Sequence, residues 1–443
     1  MLGLVALDSG ATGAESGFQP VVTRSPAADR IAERPDYAHV LGDGMGWLEG
    51  GIESRTRYEM REGDYAAGLL SDDPLVTRNL IYLGVKRVLD PFRFAAELLD
   101  SRRFFSGLGD TPNVVNTLEP LQAYAQLHFD RGAGNAPLSL SFGRMAFDWA
   151  DRRLIARNRN RNTISAFDGL RLRMGDENAP WEIDAIAVRP VERSVDNIDV
   201  SADDLILYGL AGYWRGWSPH VVLEPYWLWL DQRKAGNPAA RRNLQTLGLH
   251  AFGQWGRGGA WDYDLSLAGQ WGRSADLTHR AQAAHVEVGR TWTAGWKPRL
   301  ALWLNYASGD RSPVDRSNQR FDPLYGATFS FYGFSSYFTW QNMINPALRL
   351  SFRPAKMLKC EIIHRAMWLA DRSDAWVKSG RRDATGGSGS YIGQELDARL
   401  VWQLAPSFEI DIAYAHFFPG SFASSTGAAP PGQLFQVAGT LRF

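Results

Sequence analysis

The sequence predicts an all-β chain folded as one transmembrane antiparallel barrel of about 18 strands, with short periplasmic turns and long extracellular loops. Three observations predict it. Segments of period-two hydropathy keep their charges on one face; short and long connections alternate along the chain; and no run of about 18 apolar residues, the length a membrane helix requires, is present.

The first strand shows the pattern most clearly. Within 47–61, Leu48, Gly50, Ile52, Ser54, Thr56, Tyr58 and Met60 share one uncharged face, while Glu49, Glu53, Arg55, Arg57, Glu59 and Arg61 share the other with Trp47. Side chains alternate across a strand, so such a segment has one face for lipid and one for water. At about 3.4 Å per residue it crosses a bilayer even when tilted. The alternation returns at 261–271, where Asp262, Asp264, Ser266 and Gln270 oppose Trp261, Tyr263, Leu265, Leu267 and Trp271. It returns at 298–308, 395–402, 408–414 and 434–443, the last ending on Phe443 as outer-membrane strands that signal assembly do.

Eight short gaps separate strands, near 89–92, 130–137, 175–180, 214–219, 256–260, 293–298, 353–357 and 405–407, and Gly, Pro, Asn and Asp dominate them as turn chemistry requires. Nine mostly longer gaps interleave, at 62–75, 102–117, 147–165, 190–204, 231–242, 272–280, 308–344, 370–391 and 418–432. Both termini then fall on the short-turn side. Parity is mixed at 76–88, 180–189 and 333–345, and 333–344 reads as part of a folded loop. The longest connections, 147–165, 308–344 and 370–391, carry patterned motifs, so they are expected on the extracellular side, folded partly inward.

Composition narrows the class further. The 17 Trp, 15 Tyr and 22 Phe suit aromatic girdles at the two lipid–water interfaces. One cysteine, Cys360, excludes an internal disulfide and a cysteine metal cluster, and it reads as a packing residue. Six lysines stand against 42 arginines at a formal net charge of zero. Two readings of that bias stay open: base composition of the gene, or a need for bidentate contacts to carboxylates. Residues 1–45 read as an N-terminal extension, with MLGLVALDSGATGAESG a candidate remnant of a truncated signal peptide, and 46–443 as the barrel.

No sequence motif for nucleophilic, zinc or nucleotide chemistry is present, and no cofactor is called for. The carboxylate pairs Asp262/Asp264, Glu395/Asp397 and Glu409/Asp411 lie at i, i+2 on strands with an apolar opposite face, which fits a solvated lumen wall. The same parity turns Arg55, Arg57, Arg171, Arg173, Arg349, Arg353 and Arg399 toward the lumen, together with Glu395 and Asp397. An arginine held toward lipid at mid-membrane costs roughly 2–4 kcal/mol.

Residues 139–175 resemble the alginate export family of outer-membrane proteins. The resemblance rests on Gly143-Arg144, Arg153-Leu154 and Phe167-Asp168-Gly169, with further matching segments at 97–104, 307–326 with the WQNMINP that follows, and 391–422. It implies an 18-stranded barrel exporting an anionic polysaccharide such as alginate through an arginine-lined constriction, embedded in outer-membrane lipid, with periplasmic secretion partners and no nucleic acid. By motif position it implies pore-lining or loop-anchoring roles for Arg144, Arg153, Asp168 and Arg171. Arg144 shares a face with Leu140 and Phe142, and Asp168 with Leu170 and Leu172, so both belong at strand ends. The connection Ala405-Pro406-Ser407 is far shorter than the periplasmic turn that helps to gate alginate exporters. Two other functions stay open: an uptake porin for small anions or sugar acids, and an outer-membrane enzyme, to which narrower barrels are better suited.

A strand-rich circular dichroism spectrum in detergent, and a gel mobility that changes on boiling, are the expected signatures of the purified protein. Helix-dominated ellipticity or solubility without detergent would contradict a barrel.

Overall fold

Eighteen antiparallel strands close into a barrel in the computed structural model, which describes residues 37–41, 46–130, 136–175, 179–233, 241–293, 295–312 and 314–443. In chain order they are β1 (Leu48–Asp64), β2 (Leu75–Val85), β3 (Phe92–Phe104), β4 (Asn116–Phe129), β5 (Leu138–Met145) and β6 (Phe167–Met174). Then follow β7 (Trp181–Glu192), β8 (Leu205–Trp214), β9 (Val222–Gln232), β10 (Arg242–Trp255), β11 (Trp261–Ser274) and β12 (Leu277–Thr291). The last six are β13 (Arg299–Ala307), β14 (Met343–Ala355), β15 (Leu358–Trp368), β16 (Tyr391–Ala405), β17 (Phe408–Pro419) and β18 (Gly432–Arg442). Each pairs with its sequence neighbours, and β1 pairs with β18 from Glu53↔Arg442 to Glu62↔Gln433, so the sheet has no free edge.

Strand parity is as the sequence predicts. On β13, Leu300, Leu302 and Leu304 are exposed to the outside, while Ala301, Trp303 and Asn305 are buried inside. Trp214, Trp217, Trp255, Trp292, Trp296 and Trp402 crowd the short-turn end, exposed outward, as a girdle in the lipid headgroup region. One predicted gap is corrected. The interval 272–280 is occupied by strand on both sides of a turn at Ala275 and Asp276, with Ala275 at φ 53°. Its polar residues belong to strands that rise above the membrane, and Thr278–His279 of β12 there pair in parallel with Ser317–Asn318. Of the predicted N-terminal extension, 1–36 and 42–45 lie outside the described residues; within 37–41, His39 and Val40 pair with Gly50 and Glu49 of β1.

Two long connections fill the interior. We call 146–166 L3, 308–342 L7 and 369–390 L8. L3 and L7 join through their backbones: Tyr325 N–H donates to Leu154 C=O at 2.8 Å, Ala156 N–H to Tyr325 C=O at 3.1 Å, and Ala327 N–H to Arg152 C=O at 3.0 Å. Trp149, Phe321, Phe334 and Trp340 are fully buried there, inside the barrel. L8 lies against L7, with Trp376 Nε1–H donating to Tyr337 C=O at 2.9 Å. Residues 333–342 are loop, as read from the sequence. The mixed parity at 76–88 and 180–189 has a physical cause. Leu80 and Tyr82 of β2, and Ile186 and Val188 of β7, point inward into apolar clusters that include Ile164 and Ala166, or Phe147 and Trp149, of L3.

Leu302→Arg should lower unfolding stability in lipid vesicles by roughly 2–4 kcal/mol, because the guanidinium would face hydrocarbon. Leu302→Met should leave it within about 1.5 kcal/mol. Equal effects of the two, measured by urea titration, would contradict the outward placement.

Candidate functional site

The junction of L3 with the wall is built from paired glycines. Gly143 on β5 faces Gly169 on β6 across the ladder, at φ 122° and 152°, values an L side chain resists. A Cβ on either would collide with a carbonyl of the next strand, Ala123 or Ala187. One residue on, Arg144 grips Asp168 bidentately, Nε donating at 2.8 Å and Nη2 at 3.0 Å, and Nη2 also reaches Asp199 C=O at 3.2 Å. Arg144 and Asp168 thus sit at the extracellular strand ends and tie down neighbouring loop backbone.

From there L3 spans the lumen between β1 and β2 on one side and β11 and β13 on the other. Arg55 donates to Arg159 C=O at 3.1 Å and Arg161 C=O at 2.9 Å; Arg57 to Asn160 C=O at 2.6 Å; Arg78 to Arg159 C=O at 2.7 Å. Asn162 Nδ2 donates to Thr77 and Val114 C=O, both at 2.9 Å. At the far side Asp151 accepts from Ser266 of β11, and Arg153 lies 3.3 Å from Asp151 and donates to Asn305 and the Tyr332 hydroxyl at 3.3 Å. Its guanidinium stands 4.5 Å from the Phe331 ring centre, a cation–π contact.

Two large cavities lie beside these loops among the described residues. The larger, about 1010 Å³, runs along β1, β17 and β18 from Asp64, Asp72 and Lys378 near the loops to Glu409, Asp411 and Arg442 near the short turns. The smaller, about 510 Å³, lies against β11–β15. Arg152, Ser330 and Arg399 line both, where the tips of L3 and L7 approach β16. Wall arginines in the larger cavity other than Arg55 are ion-paired. Glu53 accepts from Arg78 at 2.7 Å and Arg442 at 3.1 Å, Glu59 pairs with Arg57 and Arg61, and Arg399 binds Asp411 at 2.9 and 2.7 Å. Two loop cations, Arg161 and Lys378, differ. Arg161 donates to Asn113 Oδ1 at 3.1 Å and Ser165 Oγ at 2.6 Å, both neutral. Burial, and then the neighbouring Arg193, push its guanidinium below the ordinary value; burial, and then Arg161, do the same to Lys378.

The residues singled out in the sequence divide accordingly. Arg55, Arg57 and Arg399 line the larger cavity, and Arg153, Arg349 and Arg399 the smaller. Arg349 donates to Glu287 at 2.5 Å. Five expected lumen-lining residues line neither. Arg171 and Arg173 do face inward, but Arg171 is held by Asp184 at 2.6 Å beneath the Phe147 ring of L3, and Arg173 by Glu182 at 2.9 Å. Glu395 and Asp397 lie fully buried under L7, bound by Ser335 and, at 2.6 Å, by Arg365. Arg353 is exposed at the periplasmic end, because the register slips between Phe352 and Ala355 and parity fails there. Sequence parity missed Arg78, Arg152, Arg161 and Lys378. The alternating RNRNRN run of L3 was the visible signal for Arg161; nothing in strand parity marks a cation carried by a loop.

The alginate export family model matches residues 46–435. The chain belongs to the alginate export family. Among solved structures, Pseudomonas aeruginosa OccD3 (OpdP) matches with a TM-score of 0.62 at 11% identity, covering 96% of this chain and 95% of that one. P. aeruginosa OpdK with vanillate gives 0.61 at 12%, covering 89% and 98%. The P. aeruginosa outer membrane protein OprD gives 0.59 at 11%, covering 89% and 93%. A comparison with curated proteins finds no match. Family and barrel together place this member in the outer membrane, in a fold of channels.

Replacing Arg55 and Arg78 together by Ala removes two of the three charged donors by which β1 and β2 hold L3 and leaves Arg57. Hydrogen bonds from charged groups contribute about 1.5–3 kcal/mol each. Single-channel conductance should rise and become noisier, with the barrel still heat-modifiable. Unchanged conductance would show that L3 is held without them.

Proposed function

We propose that the protein is an anion-selective channel for carboxylate-bearing saccharides. The charge of the passage carries this reading: among the described residues, eleven cationic and seven carboxylate side chains line the larger cavity, in a chain of zero net charge. Most of the wall arginines spend their charge on carboxylates or L3 carbonyls. The excess sits on loops, as Arg152 at the junction and Arg161 and Lys378 nearer the mouth. Cations presented one after another, each partly screened, suit transport, since a permeant must bind well enough to enter and weakly enough to leave.

Geometry supports a small solute best, a sugar acid or comparable anion, because L3 and L7 pack across the lumen and the cavities described beside them hold about 1010 and 510 Å³. Family membership favours a second reading, export of an anionic polysaccharide such as alginate, threaded through the same passage with the help of periplasmic partners.

In a planar bilayer the channel should pass chloride in preference to potassium, and monomeric glucuronate should permeate. Arg161→Gln with Lys378→Gln should reduce anion preference by roughly 1.4- to 5-fold per charge removed, the range of an exposed ionic contact. Because both groups titrate below their ordinary values, anion preference should also fall as pH rises through the alkaline range, earlier than for ordinary Arg and Lys. Current block by polyuronate without monomer flux would favour the export reading, and a preference for cations would exclude both.

A further inference from the structure

The lipid-facing side of β10–β12 carries three arginines at the edge of the membrane. On β11, Trp261 and Trp271 point outward ten residues apart, with exposed Leu267 between them. At about 3.4 Å per residue and a tilt near 40° they stand about 25 Å apart along the membrane normal, the height of a barrel's apolar band. Trp261 stacks on Trp255 in the short-turn girdle, with ring centres 5.9 Å apart. Trp271 is level with Trp229, which stacks on Tyr208 at 5.1 Å, in the extracellular girdle. Arg273 lies two residues beyond Trp271, and Arg280 of β12 stands directly opposite Trp271. Arg241 completes the group beside the turn, its C=O accepting from Ala275 N–H at 2.7 Å. All three arginines are exposed, and they lie in the headgroup layer of the outer leaflet.

No carboxylate answers them. Arg273 Nη2 donates to Asp276 C=O at 3.1 Å, a neutral acceptor, and none of the three has an ion-pair partner among the described residues. Asp231, on the same outer face, is taken by Arg233 at 2.8 Å and by Asn243 Nδ2 at 3.3 Å. Outward cations elsewhere are answered by the protein itself. Arg102 pairs with Asp100 at 3.0 Å and Arg144 with Asp168 at 2.8 Å. At the short-turn girdle Arg290 lies over the rings of Trp261 and Trp292, 5.3 and 5.1 Å from their centres. Arg273 and Arg280 are diagonal neighbours across the ladder, with Cα atoms about 7–8 Å apart, so their long side chains can converge on one anion. Beneath them the outer face drops to Gly269 and Ala284, between exposed Leu247 and Leu304, and the position of a Gly269 Cβ opens on free space.

We propose that this face binds, from outside the barrel, a phosphorylated glycolipid of the outer leaflet, of the lipid A kind. Arg273 and Arg280 take one phosphate between them, Arg241 adds its charge from the turn, and an acyl chain lies over Gly269 and Ala284. Guanidinium matches phosphate oxygens two at a time. Unpaired cations at headgroup level favour an anion anchored in the membrane, because each adds attraction to a negatively charged lipid surface. None of the three arginines lines either cavity, so the site is independent of what the channel carries.

The test is native mass spectrometry of the detergent-solubilised barrel titrated with diphosphoryl lipid A, with the same lipid stripped of both phosphates, and with inorganic phosphate. One diphosphoryl lipid A per barrel should be retained, about tenfold or more tighter than the stripped lipid, and the complex should weaken as salt is raised. Arg273→Gln with Arg280→Gln should lower the affinity by roughly tenfold or more, the size of charged hydrogen-bonded contacts, while Arg273→Lys with Arg280→Lys retains part of it. Arg102→Gln, which removes an outward arginine already paired, should bind as wild type. The double Gln variant should keep the wild-type heat-modifiable mobility and single-channel conductance, so that loss of lipid is distinguished from loss of the barrel. Equal retention of the two lipids by the wild-type protein overturns the proposal, as does unchanged affinity in the double Gln variant. Inorganic phosphate bound as tightly as the lipid, or paired barrels in place of the lipid complex, would assign the patch to a free anion or to a second copy of this chain and overturn it equally.

Discussion

Guanidinium groups on β1 and β2 donating into the backbone carbonyls of 159–161 hold the interior of this barrel in its form. Each side needs the other. Arg55, Arg57 and Arg78 are buried, and a buried cation is tolerable only with acceptors around it. Glu53 cannot serve them all, since Arg78, Arg159 and Arg442 already converge on it. L3, for its part, exposes carbonyls that no strand satisfies as it crosses the lumen. The clamp answers both needs and fixes L3 across the pore, which in turn gives L7 a backbone partner at Leu154 and Ala156.

A second consequence is that the inner wall is not uniformly wet. Where L3 and L7 pack, the lumen side carries Leu80, Tyr82, Ile186 and Val188; where the cavities run, it carries Arg, Glu and Asp. An apolar inner face beside an apolar outer face erases period-two alternation. Loss of parity therefore marks the strands that support the inward loops.

Charge is divided along the same boundary. Strand-borne arginines meet carboxylates of the next strand diagonally across the ladder, as Arg171 does with Asp184 and Arg399 with Asp411, and cross-strand pairs of this kind stiffen the wall while neutralising it. Of the loop-borne cations, Arg159 and Arg157 reach strand carboxylates, Glu53 and Glu97, whereas Arg152 and Arg161 have no ion-pair partner among the described residues. The net field of the passage is consequently set by few residues, Arg152, Arg161 and Lys378 among them, although the chain contains dozens of arginines.

The sequence by itself determined the barrel, its strand count, which face of most strands meets lipid, and the order of short and long connections. Each follows from local rules: side-chain alternation, turn chemistry and the cost of charge in hydrocarbon. The matching motifs Gly143-Arg144 and Phe167-Asp168-Gly169 were legible too, because a bend and a bidentate pair leave a short signature. Only the tertiary structure decided which inward residues border open space. Arg171, Arg173, Glu395 and Asp397 point to the lumen by parity, yet L3 and L7 cover them, and Arg353 leaves the membrane after a slip in register. Arg152 meets β16 and the smaller cavity only because L3 folds back across the lumen to join L7. Parity records direction within one strand, whereas the passage depends on which loop lies across it, and that is set by contacts between residues a hundred or more positions apart, as between Arg55 and Arg161.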